Sequence, residues 1–476
     1  MLQYFMARNN MEENVMKTKN YMKQFIDTYY DRHQNLDKQP VIELINDQTF
    51  NELSDTVILE EGRSLPELLS IIEEKVYANR LILEHPRNFA FIPAPVEDVS
   101  RLGDMINTFY NPNACGWYAS SGTACIEHAL INWLCEQAGY TKNASGIIVS
   151  GGSMANLTAA ITARDTKIQP DQIAKGVVYI SNQAHHSINK SLHIIGIPDD
   201  RIRYINTDDN LKIIPDDLDK KIINDKRDGL IPFLVIATAG STNAGVIDPL
   251  HEIALIADKH DLWFHIDGAF GASLLLSGEH KHLVNRINSA DSITWDAHKW
   301  LFQTYSCAML LVKNRSTLLH SFSDNAEYLA DAQKADHTDF WDLGIELSHP
   351  ARGMKLWLTL QNLGTKQIAQ KIDFGVYTAE YTQQVICNFN HWQIVTPAQT
   401  AIINFRYYHK DLSAEILNDI NSLLSEKIVA SGYAQIMTTK INGATTLRMC
   451  TTSPKTTHQD IDQTISKLND FLNEVL

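Results

Sequence analysis

Six short apolar runs separated by amphipathic stretches restrict the fold of this 476-residue chain more than any other feature. They are Gly146–Ser150, Gly176–Ile180, Arg201–Ile205, Phe233–Ala239, Leu262–Asp267 and Cys307–Val312. β-Rich, largely apolar runs of this length, separated by helical stretches, are how parallel strands read when helices cover both faces of their sheet. The stretches between them suit crossover helices, so an α/β fold is expected. Residues 1 to about 60 show helix-like apolar spacing at Tyr21, Phe25 and Tyr29 and read as a leading helix and linker. After about residue 350 the pattern changes to a long helical segment, strands near 401–408 and 444–450, and a helix from Thr457. This gives an expected division into an N-terminal helical segment (1–100), a large domain (101–365) and a small C-terminal α+β domain (366–476).

Charge and cysteine usage narrow the class of protein. Lys and Arg total 41 against 56 Asp and Glu, a net charge of −15, which disfavours binding to nucleic acid or an anionic membrane but leaves room for a small anion pocket. Cys115, Cys125, Cys135, Cys307, Cys387 and Cys450 form no C-x-x-C pair and are too sparse for a disulfide scaffold, so they read as reduced packing residues. No apolar run is long enough to span a bilayer and the first twenty residues lack an apolar signal core, so a cytoplasmic location is expected.

Four stretches, each just beyond an apolar run or between two of them, carry chemistry. The run ending at Ser150 passes through Gly151, Gly152 and Ser153 into a helical stretch; such a turn lets backbone approach a ligand, Ser153 can cap the helix, and free N–H groups with the positive helix end favour a phosphate. Taken alone it is equally an ordinary strand-to-helix turn, and it matches neither a P-loop nor a dinucleotide fingerprint. His185 follows the second run, where ligands of open α/β sheets sit, and suits stacking on a ring. Neither His185–His186 nor His280 and His282 comes with further ligands at metal-site spacing, so no metal is expected. Asp267 closes the run Leu262–Asp267 and would be costly to bury without a cation or donor; Gly268 and Ala269 after it leave space over a flat group. Asp296-Ala297-His298-Lys299-Trp300 offers an amine beside an aromatic wall that would lower its proton affinity, as a Schiff-base lysine needs. An anion site, a stacking group, a ring-nitrogen partner and an amine, in that order, are the requirements of pyridoxal phosphate.

On these residues the chain resembles the group II pyridoxal-phosphate-dependent amino acid decarboxylases, the family of aromatic amino acid and glutamate decarboxylases. The matching stretches are SGGSMANLTAAITAR (150–164), NQAHHSINK (182–190), ATAGSTNAGVIDPL (237–250), LWFHIDGAFGAS (262–273), DSITWDAHKWL (291–301) and MKLWLTLQNLG (354–364), within a similarity covering roughly four fifths of the chain. The resemblance implies the fold type I architecture of the aspartate aminotransferase superfamily, with a mostly parallel seven-stranded sheet and a small C-terminal domain. It also implies a homodimer with its active sites at the interface. Lys299 would carry the cofactor as a Schiff base, Asp267 would pair with the ring nitrogen, His185 would stack on the ring and Ala269 would pack on the opposite face. Thr242 would lie near the ring substituents, and Gly152, Ser153 and His298 would hold the phosphate with Asp296 nearby. The implied reaction is decarboxylation of an L-amino acid to an amine.

Two departures from the family pattern bear on the reaction. Ungapped counting from Met354 puts Phe340, within Thr338-Asp339-Phe340-Trp341, where the family carries a proton-donating loop tyrosine. Phenylalanine at that place resembles relatives that form an aldehyde and ammonia by consuming oxygen; otherwise the count has slipped, or Tyr328, His185 or water donates the proton. His349 and Pro350 replace two family arginines, leaving Arg352. Phe91 in AFIP and Trp117 in GWYASSGTACIE look more like aromatic amino acid decarboxylases than glutamate decarboxylases, so Phe91, Trp117, Phe340 and Arg352 are the candidate substrate residues and an aromatic substrate is favoured. A third reading is a catalytically silent relative that keeps the fold for binding or regulation. Retention of Lys299, Asp267 and His185 argues against it.

Overall fold

The computed structural model describes residues 2–323 and 339–476, with side chains from residue 15 onward. Tyr328 and Thr338, considered above as part of a catalytic loop, lie outside the described residues.

Seven strands form the main sheet: β1 (Ser145–Val149), β2 (Gly176–Ser181), β3 (Ile202–Ile205), β4 (Ile231–Thr238), β5 (Trp263–Asp267), β6 (Ser292–Asp296) and β7 (Ala308–Val312). Their spatial order is β1-β7-β6-β5-β4-β2-β3. β3, β2, β4, β5 and β6 run parallel, and β7 is antiparallel to both β6 and β1. Each of the six apolar runs overlaps one of these strands. The seventh strand, β6, was not among them because Ser292 and Thr294 alternate with Ile293 and Trp295, although all four side chains are buried. Helices on both faces of the sheet explain why β1, β2, β5, β6 and β7 are buried at every position. Because β1 runs in the same direction as β6, the ends of β1, β2, β4, β5 and β6 that carry the motif residues share one edge of the sheet.

A second, wholly antiparallel sheet has the order β10-β11-β9-β8, built from β8 (Trp392–Thr400), β9 (Ile402–Tyr407), β10 (Met437–Ile441) and β11 (Ala444–Cys450). Only β9 and β11 were expected; β8 and β10 are the edge strands, where polar residues alternate with partly buried ones and blur the apolar signal. The helix Gly353–Cys387 joins the two sheets and is broken at Gly364, whose φ of 72° only glycine adopts without strain. The last helix, His458–Val475, starts at a capping box in which Thr457 and Asp460 satisfy each other's backbone amides. At the other end, the helix Leu2–His33 leaves Val15, Met16, Phe25 and Tyr30 exposed. No helix among the described residues is long and apolar enough to cross a membrane. The cysteine reading needs one correction. Cys115, Cys135, Cys307 and Cys450 are buried packing residues, whereas Cys125 and Cys387 are exposed on helix surfaces; all six are unpaired.

Candidate active site

The shared strand edge encloses a cavity of about 380 Å³. Gly152, Ser153, His185, Thr242, Asp267, Ala269, Asp296, His298 and Lys299, from all four motif stretches and the loop after β4, line it together. The topology achieves this because each residue closes or follows a strand whose neighbour closes another.

Lys299 and His298 lie on the short helix Ala297–Trp300 that follows β6. The Lys299 amine is 3.2 Å from Asp296 Oδ2, and Asp296 is 2% exposed. Trp300, expected to wall the amine, is instead buried in the core with its ring stacked on Phe270 at 4.7 Å, so the amine meets a carboxylate rather than an aromatic face. His298 Nδ1 donates to the Cys307 carbonyl at 3.0 Å, which leaves Nε2 turned towards Asp296 at 3.5 Å. Burial lowers the proton affinity of His298 against the opposing pull of Asp296.

On the opposite side, helix Gly152–Lys167 begins at the cavity with Gly151 as its N-cap. Ser153 is therefore not the cap: it is the second residue of the helix, makes no capping bond and faces the cavity. Gly152 is required by contact, since a Cβ there would lie 2.8 and 2.9 Å from the Asp296 carboxylate oxygens. His185 caps the helix His186–Ile194, with Nδ1 accepting from the Ser187 amide, and burial lowers its proton affinity.

Asp267 is 6% exposed and accepts hydrogen bonds from the Asn156 side-chain amide at 3.1 Å and the Ala269 amide at 3.2 Å. The cost of burying this carboxylate is thus met by donors, and one edge still faces the cavity. Thr238 Oγ1 and Asp296 Oδ1, both on the cavity wall, are buried without a hydrogen-bond partner among the described residues. A polar ligand with a phosphate at the helix start fits this arrangement, since it would supply partners to both atoms and meet the free N–H groups.

The four candidate substrate residues are not part of the cavity. Phe91 is 47% exposed elsewhere on the surface. Trp117 packs beside Phe340 and Leu343, and its amide donates to Asp339 Oδ1 at 2.6 Å. Phe340 is 1% exposed, stacks on His128 at 4.4 Å and donates its amide to the Cys115 carbonyl. Phe340 is thus a core residue that does not line the cavity. Arg352 makes a bidentate pair with Glu346 at 2.6 and 2.9 Å, which uses the fork expected for a substrate carboxylate. Conversely, Asn156, Ser187, Thr238, Gly240, Tyr305 and Ser306 line the cavity without having been singled out. Asn156 and Ser187 occur within the matched stretches, so the position of each in its helix was the available signal.

A buried anion site, an amine held by a carboxylate, and a carboxylate and imidazole aimed into the same space are the equipment of a pyridoxal-phosphate enzyme. The model of the pyridoxal-dependent decarboxylase conserved domain matches residues 48–408. The chain belongs to that family, and it is a pyridoxal-phosphate-dependent amino acid decarboxylase. It is 35% identical over 472 residues to an aromatic-L-amino-acid decarboxylase of Bacillus atrophaeus, covering 98% of both chains. It is 28% identical to the 4-hydroxyphenylacetaldehyde synthase of Rhodiola rosea, covering 79% of this chain and 78% of that one. Among solved structures, Catharanthus roseus tryptophan decarboxylase in complex with L-tryptophan superposes with a TM-score of 0.89 at 26% identity, covering 98% of this chain and 99% of the other.

Proposed function

We propose that the protein decarboxylates an aromatic L-amino acid to its amine, with the cavity between the β1, β4, β5 and β6 ends as the reaction site. The convergence of nine motif residues on one cavity carries the assignment of the site, and the 35% identity to an aromatic-L-amino-acid decarboxylase supports the substrate class. Bound pyridoxal phosphate supplies the electron sink for the pair left when the carboxylate departs as CO₂. Lys299 attaches the cofactor, and Asp296 beside it keeps the amine at the cavity wall. Gly152, Ser153 and His298 hold the phosphate. Asp267, fixed by Asn156 and Ala269, holds a proton at the ring nitrogen. His185, whose proton affinity burial lowers, and Ala269 would hold the two faces of the ring, and Thr242 would contact a ring substituent. Two copies of the chain assemble as a homodimer in the cytoplasm, with the exposed apolar residues of the helix Leu2–His33 at the contact.

A panel of the twenty amino acids, read for CO₂ and amine together, tests the reading. Turnover of tryptophan, tyrosine or phenylalanine above the acidic and aliphatic substrates is expected. Preference for glutamate or a diamino acid would overturn the substrate assignment. The aldehyde-forming alternative is supported by the similarity to 4-hydroxyphenylacetaldehyde synthase; ammonia and hydrogen peroxide appearing in place of amine would establish it.

A further inference from the structure

Behind the cavity wall, a chain of buried side chains ends on both Asp267 and His185. Trp263 Nε1 donates to Ser292 Oγ at 2.9 Å, and Ser292 Oγ lies 2.8 Å from His265 Nδ1. His265 Nε2 is 3.1 Å from Asn156 Oδ1, which also accepts from Thr294 Oγ1 at 2.6 Å. The Asn156 Nδ2 group then donates twice, to Asp267 Oδ2 at 3.1 Å and to Ser187 Oγ at 3.0 Å, and Ser187 Oγ is 2.9 Å from His185 Nδ1. Trp263, Ser292, His265, Thr294 and Asn156 are all buried.

The polarity of the chain follows from its ends, because an indole can only donate and a carboxylate can only accept. Burial holds His265 at a proton affinity of about 4, so its ring is neutral, and it accepts from Ser292 on one side and donates to Asn156 on the other. Two donors therefore meet Asn156 Oδ1. Rotating the amide by half a turn would set its oxygen against Asp267 and its NH₂ against the Thr294 hydroxyl and the His265 N–H. One orientation survives, and it places two donors where the site needs them.

We propose that Asn156, oriented by Thr294 and His265, is a positioning residue that holds Asp267 and His185 in register with each other, so that the ring-nitrogen partner and the stacking imidazole act on the bound cofactor as one rigid unit. This rests on the roles proposed above for Asp267 and His185. It also explains why β6 carries Ser292 and Thr294, the residues that break its apolar pattern.

The test compares wild type with Asn156→Asp, Thr294→Val, Thr294→Ser and the double variant His265→Phe, Thr294→Val, each prepared without cofactor and titrated with pyridoxal phosphate. The readouts are the dissociation constant from the visible absorption band, the pH midpoint at which that band changes, and the melting temperature of the apo form. Asn156→Asp and the double variant are expected to weaken binding by about tenfold or more, the size of effect outer-shell partners have at metal centres, and to move the pH midpoint. Thr294→Ser keeps the hydroxyl and should bind within about twofold of wild type, while Thr294→Val should not. Unchanged affinity and midpoint in Asn156→Asp would overturn the proposal. So would equal weakening in Thr294→Ser and Thr294→Val, which would assign Thr294 to packing. Should the double variant fail to fold, Asn156→Asp and the Thr294 pair decide by the same criteria. A wild-type protein that forms no Lys299-dependent visible band would overturn the proposed function itself; a normal wild-type band with unaffected variants would overturn only the positioning role.

Discussion

Glu127 offers a test of the buried electrostatics away from the cofactor. The residue lies on the helix Trp117–Gln137, is 2% exposed, and accepts one hydrogen bond from the Ile148 amide, while its Oε1 has no partner among the described residues. Burial pushes its carboxyl from 4.5 up to about 8, against weaker opposing effects of that hydrogen bond and of Arg352, whose guanidinium is already taken by Glu346. An acid whose folded value lies above its unfolded value stabilises fully below the unfolded value and loses that stability as pH rises towards the folded one. At about 1.4 kcal/mol for each pH unit, the interval from 4.5 to about 8 amounts to about 5 kcal/mol, of which about 3.5 kcal/mol is already lost at pH 7. Glu127→Gln keeps the shape and the acceptor for Ile148 but cannot ionise. It should therefore raise the stability of the apo protein by about 2–3 kcal/mol at pH 7 and by less than about 1 kcal/mol at pH 5. Urea midpoints followed by circular dichroism at pH 5, 7 and 9, at one protein concentration, measure this. A variant destabilised by the same amount at pH 5 and pH 9 would refute the reasoning and mean that Glu127 is an ionised partner of Arg352.

Three other outcomes are expected. Lys299→Ala should abolish the borohydride-reducible visible adduct and lower decarboxylation by at least about 10³-fold, as loss of a covalent group does; a full-occupancy adduct in the variant would show that another amine attaches the cofactor. Gly240→Ala should destabilise by about 2–3 kcal/mol in thermal melts, because φ at Gly240 is +87° and a Cβ would lie 2.8 Å from the Phe270 ring. Asp373→Ala should cost about 2–4 kcal/mol, since it strands the Ser277 hydroxyl, His280 Nδ1 and the Gly278 amide that bridge the helix Gly353–Cys387 to the connection between β5 and β6; a loss below about 0.5 kcal/mol in chemical denaturation would contradict that bridge.

The central strands were legible because burial on both faces demands unbroken apolar runs, and the motif glycines, His185, Asp267 and Lys299 were legible because each sits just past such a run or in the turn after a strand. β6 escaped for the opposite reason: Ser292 and Thr294 serve the buried network around Asn156, so polarity there reports a function of the interior and not a loop. The edge strands β8 and β10 escaped because a half-solvated strand carries a weak pattern.

Local residue type and order, with the family resemblance they carry, thus determined the α/β class and the cofactor and pointed to nine residues that the sheet topology gathers around one cavity. Only the tertiary structure decided which aromatic and basic side chains face that cavity. Phe340 and Arg352 carry the right chemistry in sequence, but packing turns one into the core against His128 and closes the other on Glu346. The tertiary structure also decided that Asn156 is part of the site. A side chain's direction is fixed by what its neighbours bury and bond, and those neighbours come from Asp267, Ser187, His265 and Thr294, which are distant in the chain and adjacent only in the fold.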